Sequence, residues 1–167
     1  MHDELTRVDM EKLREELDYR ENELMPKILE DVKVARSFGD LSENFEYKAA
    51  KDEQRKNMRR IRYIRQMLAS AVVIESESAE DVAGLFDTVA LFMEDDGEEM
   101  EVRFVTTLRQ NALEGLISKE SPLGQAVIGH RAGERVWVKV SEDYGYWVQI
   151  RGIRKGRDDE SLEISAF

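Results

Sequence analysis

Two carboxylates, Asp40 and Glu43, stand three residues apart in the stretch Gly39-Asp40-Leu41-Ser42-Glu43-Asn44-Phe45-Glu46-Tyr47. Carboxylate oxygens are hard donors. Beside a phosphodiester they suit Mg²⁺, which keeps several waters and takes only one or two protein carboxylates. Such a pair does not build a whole site, but it can finish one that a partner supplies. The same spacing also fits a helix start, with Asp40 or Ser42 as the N-cap and Glu43 reaching back. Directly after it come Lys48, Lys51, Arg55, Lys56, Arg59, Arg60, Arg62 and Arg65, and between Tyr47 and Arg65 only Asp52 and Glu53 are acidic. A solvated helix face is the plain account of such a run. Its single sign does little for helix stability but suits a phosphate backbone. Phe45, a large aromatic next to the carboxylates, is a candidate contact residue.

These groups need a rigid support, and the flanking residues predict one. Met10, Leu13, Leu17, Leu24, Ile28 and Ala35 recur at helical spacing, with Arg20 and Asp31 as polar interruptions. Glycine is absent until Gly39, the residue type that commonly follows a helix end. A second run, Tyr47, Ala50, Gln54, Asn57, Ile61, Ile64, Leu68 and Ala71, steps by alternating threes and fours, the seam of a coiled coil. Gln54 and Asn57 make the middle of that seam polar and set its register. Two long helices joined by a short loop pair antiparallel. A first helix from Asp9 to Phe38 would be roughly 45 Å long, too long to bury both faces, so the hairpin is expected to project as a finger. Pro26 removes a donor inside the first helix and predicts a bend near Glu23–Pro26.

The second half changes period. Ala71–Glu75, Thr88–Met93, Met100–Thr106, Arg135–Val140 and Tyr146–Ile153 read as strands rich in Val, Ile and aromatics. Asp95-Asp96-Gly97 and Asp143–Gly145 supply hairpin turns. Between the third and fourth strands, Ser121-Pro122-Leu123-Gly124-Gln125-Ala126-Val127-Ile128-Gly129 has an N-cap serine, a first-turn proline and a terminal glycine, which define one short helix. The chain is therefore α+β, with residues 1–75 a helical hairpin and 76–167 a small sheet domain. Trp137 and Trp147 are expected in the core or on a sheet face, His130 in a loop without a ligand role, and Gly156–Glu160 as a frayed tail.

Composition narrows the chemistry. The 167 residues contain no Cys and two His, His2 and His130, which excludes disulfides, thiol catalysis and the common zinc sites. No apolar run approaches a membrane span and no signal peptide opens the chain, so a cytoplasmic protein without a membrane role is expected. The net charge is −11, which by itself argues against nucleic acid. Yet residues 40–69 carry eight basic and five acidic groups while residues 70–167 carry ten and twenty. Screening acts over about 8 Å at physiological salt, so the local balance is the useful one.

Glu11-Lys12-Leu13-Arg14-Glu15-Glu16-Leu17, the stretch Gly39 to Ala50 and the stretch Ser121 to Gly129 together resemble the bacterial Gre transcript-cleavage factors, over about Met10 to Ile153. The resemblance implies an N-terminal antiparallel coiled-coil finger and a C-terminal FKBP-like domain. It implies docking on RNA polymerase through the second domain, with Ser121, Pro122 and Leu123 at the contact, and a finger in the secondary channel where the 3′ end of backtracked RNA is extruded. Asp40 and Glu43 match the pair that shares a Mg²⁺ inside the polymerase active site, the catalytic role in this family. Lys48, Lys51, Arg55, Arg59 and Arg62 match the basic patch that holds the RNA. No cofactor of its own is implied, and a monomer is expected. The family also includes paralogues that occupy the same channel and inhibit. Against the usual pattern, Phe45 replaces a small residue, Ser42 an often basic one and His130 a lysine.

Overall fold

The protein is described here by a computed structural model covering residues 3–40 and 44–165. Its contacts divide the chain into two compact units, one of residues 1–3 and 10–71, the other of residues 4–9 and 72–167. The division falls between Ala71 and Val72, and the six residues Glu4 to Asp9 belong with the second unit.

The first unit is a helical hairpin. α1 (Arg7–Tyr19) runs into a π-helical turn (Arg20–Leu24), which continues as α2 (Met25–Arg36); α3 (Phe45–Ser70) returns. The proline explains the π turn. Pro26 sits in the first turn of α2 and has no N–H to give the carbonyl one turn back. The helix widens just upstream, and the Met25 N–H bonds to Arg20 O instead. The expected bend is thus an inserted π turn, a known way for a helix to absorb such a mismatch. Met10, Leu13, Ile28, Val32 and Ala35 face Asn57, Ile61, Ile64 and Met67 as the buried seam. Towards the chain's second half, α3 buries Met67 in preference to the predicted Leu68, and it turns Arg60 inward.

The second unit is a five-stranded sheet in the order β5-β4-β3-β7-β6, with β3 (Thr88–Met93), β4 (Glu98–Val105), β5 (Leu116–Ser118), β6 (Arg135–Lys139) and β7 (Gly145–Arg154). All neighbours are antiparallel except β4 and β5. Side chains alternate across the pleat. Val89, Leu91, Val102, Phe104, Val136, Val138, Val148 and Ile150 point inward, where Leu123 and Val127 of α4 (Pro122–Val127) cover them. The predicted strand Ala71–Glu75 does not join this sheet. Only Val72–Val73, β2, is extended, and it pairs in parallel with Glu4–Leu5, β1. Neither β1 nor β5 carries a strand signal, being two and three residues long.

The tail is not frayed. Lys155 Nζ bonds to Ser78 Oγ at 2.7 Å and to the carbonyls of Ala79 and Val82 at 2.9 Å, and it pairs with the buried Asp87 at 2.5 Å. Asp158 meets Arg109, and Ser165 N bonds to Leu108 O at 2.7 Å. Trp137 and Trp147 lie on the outer sheet face, 47% and 37% exposed, in an edge-to-face pair 5.2 Å apart. Among the described residues no helix is long and apolar enough to cross a membrane.

Candidate functional site

The loop that joins α2 and α3 carries the first candidate group. α2 ends where Ser37 and Phe38 bond back to the carbonyls of Lys33, Val34 and Ala35. Gly39 follows at φ +109°, a backbone region that disfavours any side chain, and it delivers Asp40 to an exposed position. Leu41, Ser42 and Glu43 lie outside the described residues. The start of α3 corrects the capping expectation. Its N-cap is Asn44, whose Oδ1 accepts from Tyr47 N at 3.0 Å. The same side chain donates through Nδ2 to Ala35 O at 2.7 Å. One amide thus satisfies an orphan donor of α3 and adds a second bond to the Ala35 carbonyl, which Phe38 N already reaches, closing the loop from inside. Asp40 is not the cap, and the alternative at Ser42 lies outside the described residues. Phe38 and Phe45 flank the loop at 68% and 80% exposure, so Phe45 belongs to no core.

Behind the loop, α3 arrays its cations by helical geometry, in which residues three and four apart share a face. Lys48 lies over the Phe45 ring at 5.6 Å. Lys51 is half-buried and bonds to Gln54 Oε1 at 2.9 Å. Arg55 pairs with Asp52 at 2.6 Å, both side chains well exposed; such pairs contribute about 0–1 kcal/mol and yield readily to a competing anion. Arg59 and Arg62 are exposed and form no ion pair among the described residues. The structure therefore brings all five predicted patch residues onto the solvent side of one helix.

Arg60 is the member of the basic run that is structural. Its guanidinium grips Glu16 with Nε to Oε1 at 2.7 Å and Nη2 to Oε2 at 2.9 Å. Arg20 joins from the π turn, with Nε on Glu16 Oε1 at 2.8 Å and Nη1 on Asn57 Oδ1 at 3.0 Å. Asn57 Nδ2 answers by donating to Arg20 O at 3.2 Å. Two polar interruptions predicted on separate helices, Arg20 and Asn57, are thus each other's partners. Burial pushes the Glu16 carboxyl up, but the hydrogen bonds from Arg60 and Arg20 outweigh it and hold the group below its ordinary value. Burial raises the neighbouring Tyr63 hydroxyl.

In the second unit, Ser121 caps α4 by accepting from Gly124 N at 3.0 Å. Pro122 occupies the first turn and is exposed, whereas Leu123 is buried in the core. Leu123 fixes the helix, Ser121 is half-buried, and Pro122 is the most exposed of the three. A Cβ on Gly124 would stand 2.6 Å from the carbonyl oxygens of Ser118 and Lys119, so glycine permits the close approach. His130 is a surface residue 3.4 Å from Glu134. No cluster of three or more His, Cys, Asp or Glu able to hold a metal occurs among the described residues. Sequence reasoning missed the double role of Asn44, although its place directly before a helix was a usable N-cap signal. It also missed the buried Arg109, which nothing in its local sequence marks.

The family description "Transcription elongation factor, N-terminal" matches residues 4–73 and "Transcription elongation factor, GreA/GreB, C-term" matches residues 77–155. The chain is 39% identical to transcription elongation factor GreA of Geobacillus kaustophilus over 136 residues, covering 81% of this chain and 86% of that protein. It is 43% identical to GreA of Halalkalibacterium halodurans over 128 residues, covering 76% and 81%. Among solved structures, GreA factor homolog 1 of Thermus thermophilus is 25% identical and covers 93% of this chain and 100% of that one, with a TM-score of 0.43.

Proposed function

We propose that this chain, which belongs to the GreA/GreB transcription elongation factor family, enters the secondary channel of RNA polymerase and stimulates the polymerase to cleave backtracked RNA. The observation that carries the reading is the division of labour at the hairpin loop. Asn44 closes the loop and caps α3, and Asp40 stands exposed in that loop. A one-signed row of cations runs back from it along α3, which at 26 residues is about 39 Å long.

Each part then has a physical task. Lys48, Lys51, Arg55, Arg59 and Arg62 hold the phosphates of the extruded 3′ segment, a contact that weakens with salt. Asp40, with Glu43, offers carboxylate oxygens beside the scissile phosphodiester. Their hard donor set suits Mg²⁺ and is too small to hold the ion alone. Where such an ion is bound, it would supply an activated water and charge neutralisation, with Asp40 and Glu43 as its ligands from this chain. The chain itself positions and neutralises, while the polymerase holds the rest of the active site. The exposed Pro122 on α4 is the proposed polymerase contact, with Ser121 and Leu123 setting its position.

The test adds the purified protein to stalled, backtracked elongation complexes with Mg²⁺ and follows the RNA from its 3′ end. Stimulated shortening is expected, with a loss of about a hundredfold in Asp40→Ala and polymerase binding retained. Binding without shortening by the unmodified protein would instead make it a channel-occupying regulator.

A further inference from the structure

Lys48, Lys51, Arg55, Met58, Arg62 and Arg65 follow one another by steps of three and four along α3. Five are cations and one is apolar. Met58 is 46% exposed in the middle of the charged stripe, where a lysine or arginine would extend the row and an alanine would favour the helix. It borders an open cleft of about 550 Å³, lined by Met58, Ile61, Arg62 and Arg65 of α3 and by Glu21 and Met25 from the opposite strand of the hairpin. The π turn borders the opening through Glu21. None of its five residues is buried, and the two helices are joined at this level by the Arg20–Asn57 hydrogen bonds.

The lining has two chemistries side by side. The floor is two thioethers and a branched aliphatic chain, soft and polarisable surfaces that pack against flat π systems. The rim is the Arg62 and Arg65 guanidiniums with the Glu21 carboxylate beside them. Arg65 is paired with Glu21, while Arg62 forms no ion pair among the described residues. A ligand that suits both must carry a flat apolar face and an anion one short link away. A nucleotide within a single strand has that form, its base unstacked and its phosphate alongside. An apolar peptide would leave Arg62 unanswered.

We propose that this cleft takes a nucleobase of single-stranded RNA, so that the hairpin grips the strand by a base as well as by its phosphates. The proposal rests on the reading that the stripe faces RNA. Recognition of this kind is sequence-tolerant, because every base has a π face.

The experiment compares, by fluorescence anisotropy with the full chain, a labelled short oligouridylate and an abasic ribose-phosphate strand of the same length. The base-bearing strand is expected to bind about fivefold more tightly. Met58→Ala and, separately, Met25→Ala should bring that ratio close to one and leave the abasic affinity unchanged. Met58→Leu should keep most of it, and Arg62→Ala should weaken both strands. Met58 is half-exposed on a helix and alanine favours helices, so the variant folds, as a far-UV thermal melt will confirm. Equal binding of the two strands by the unmodified protein would overturn the proposal. So would a ratio that survives both methionine variants, or no binding of either strand at millimolar protein. Transcript cleavage is scored separately. Cleavage with a ratio of one removes the cleft and leaves the proposed function standing, whereas a clear base-dependent ratio without cleavage does the reverse.

Discussion

Arg109 in the sheet unit and Arg55 in the hairpin are the same side chain with opposite fates. Arg109 is fully buried. Its Nε bonds to Asp9 at 2.7 Å, its Nη1 bonds to Asp159 O at 2.8 Å and stands 2.6 Å from Asp158, and its guanidinium lies 5.3 Å from the Phe86 ring. Phe86 itself holds φ +67°, a conformation that costs a non-glycine residue about 1–3 kcal/mol and persists only where its surroundings over-determine it. Arg55 meets one exposed carboxylate within its own helix turn. The sheet unit closes its important ion pairs inside, Arg109 with Asp9 and Asp158 and Lys155 with Asp87. The hairpin does this at one cluster, Glu16 with Arg60 and Arg20, and leaves Lys48, Lys51, Arg55, Arg59 and Arg62 on the outer side of α3. The lesson concerns how charge should be counted. Net charge, even local net charge, mixes groups already committed to the fold with groups open to a partner. After Arg60 is set aside as structural, the outward stripe of α3 keeps its sign and its direction.

Ways to break this contrast can be ordered by size. Arg109→Met removes the countercharge of two carboxylates that have little access to water. A loss of about 3–5 kcal/mol is expected, measured by urea unfolding through the near-ultraviolet signal of Trp137 and Trp147. A loss below about 1 kcal/mol would mean that the cluster is not holding the unit together. Glu16→Gln should cost less, about 2 kcal/mol at neutral pH, because Glu16 keeps some exposure. The sign of its pH dependence follows from the lowered carboxyl. A group whose pKa falls on folding stabilises the native state above its unfolded value and loses that effect as pH drops through the folded one. The gap between the parent protein and Glu16→Gln should therefore be full above about pH 5 and close as pH falls below the ordinary carboxylate range, followed by far-UV thermal melts. A gap that widens in acid would refute the pairing.

Asn44→Ala should cost about 1–2 kcal/mol, since it removes an N-cap and the bond to the end of α2, and its effect should fall on helix content near the loop, read by amide hydrogen exchange. The smallest change is Asp52→Asn. It should move stability by less than about 0.5 kcal/mol, yet strengthen RNA retention at low salt by releasing Arg55. A stability loss above about 1 kcal/mol would show that Arg55 is committed to the fold after all.

The hairpin was largely legible from spacing. The apolar steps from Met10 to Ala35, the terminal Gly39 and the seam from Ala50 to Ile64 are local signals, and the helices follow them. The strands from Thr88 to Met93 and from Arg135 to Lys139 were equally plain, because period-2 alternation is a local property too. Residue types alone singled out the acidic loop and a basic run on α3, whereas the five-residue RNA patch came from the family resemblance. Asp40 was also legible as a possible cap, and there local rules gave the wrong partner. Several polar residues precede this helix, and Asn44 is the one that caps it while also bonding to Ala35 O across the loop.

By itself the sequence determined the main helices and the longer strands, where the hairpin turns, and that one helix carries a basic run beside two carboxylates. All of that follows from steric and periodic rules acting over a few neighbours. Tertiary structure alone decided the rest. It decided that Arg60 points inward and Arg59 outward, that Arg20 meets Asn57 across 37 positions, that Glu4–Leu5 pairs with Val72–Val73, and that the polar tail is tied down by Asp87 and Arg109. Each of these joins groups far apart in sequence, and desolvation rather than local propensity selects the partner: a charge or backbone edge taken out of water must find its complement, wherever the chain provides it.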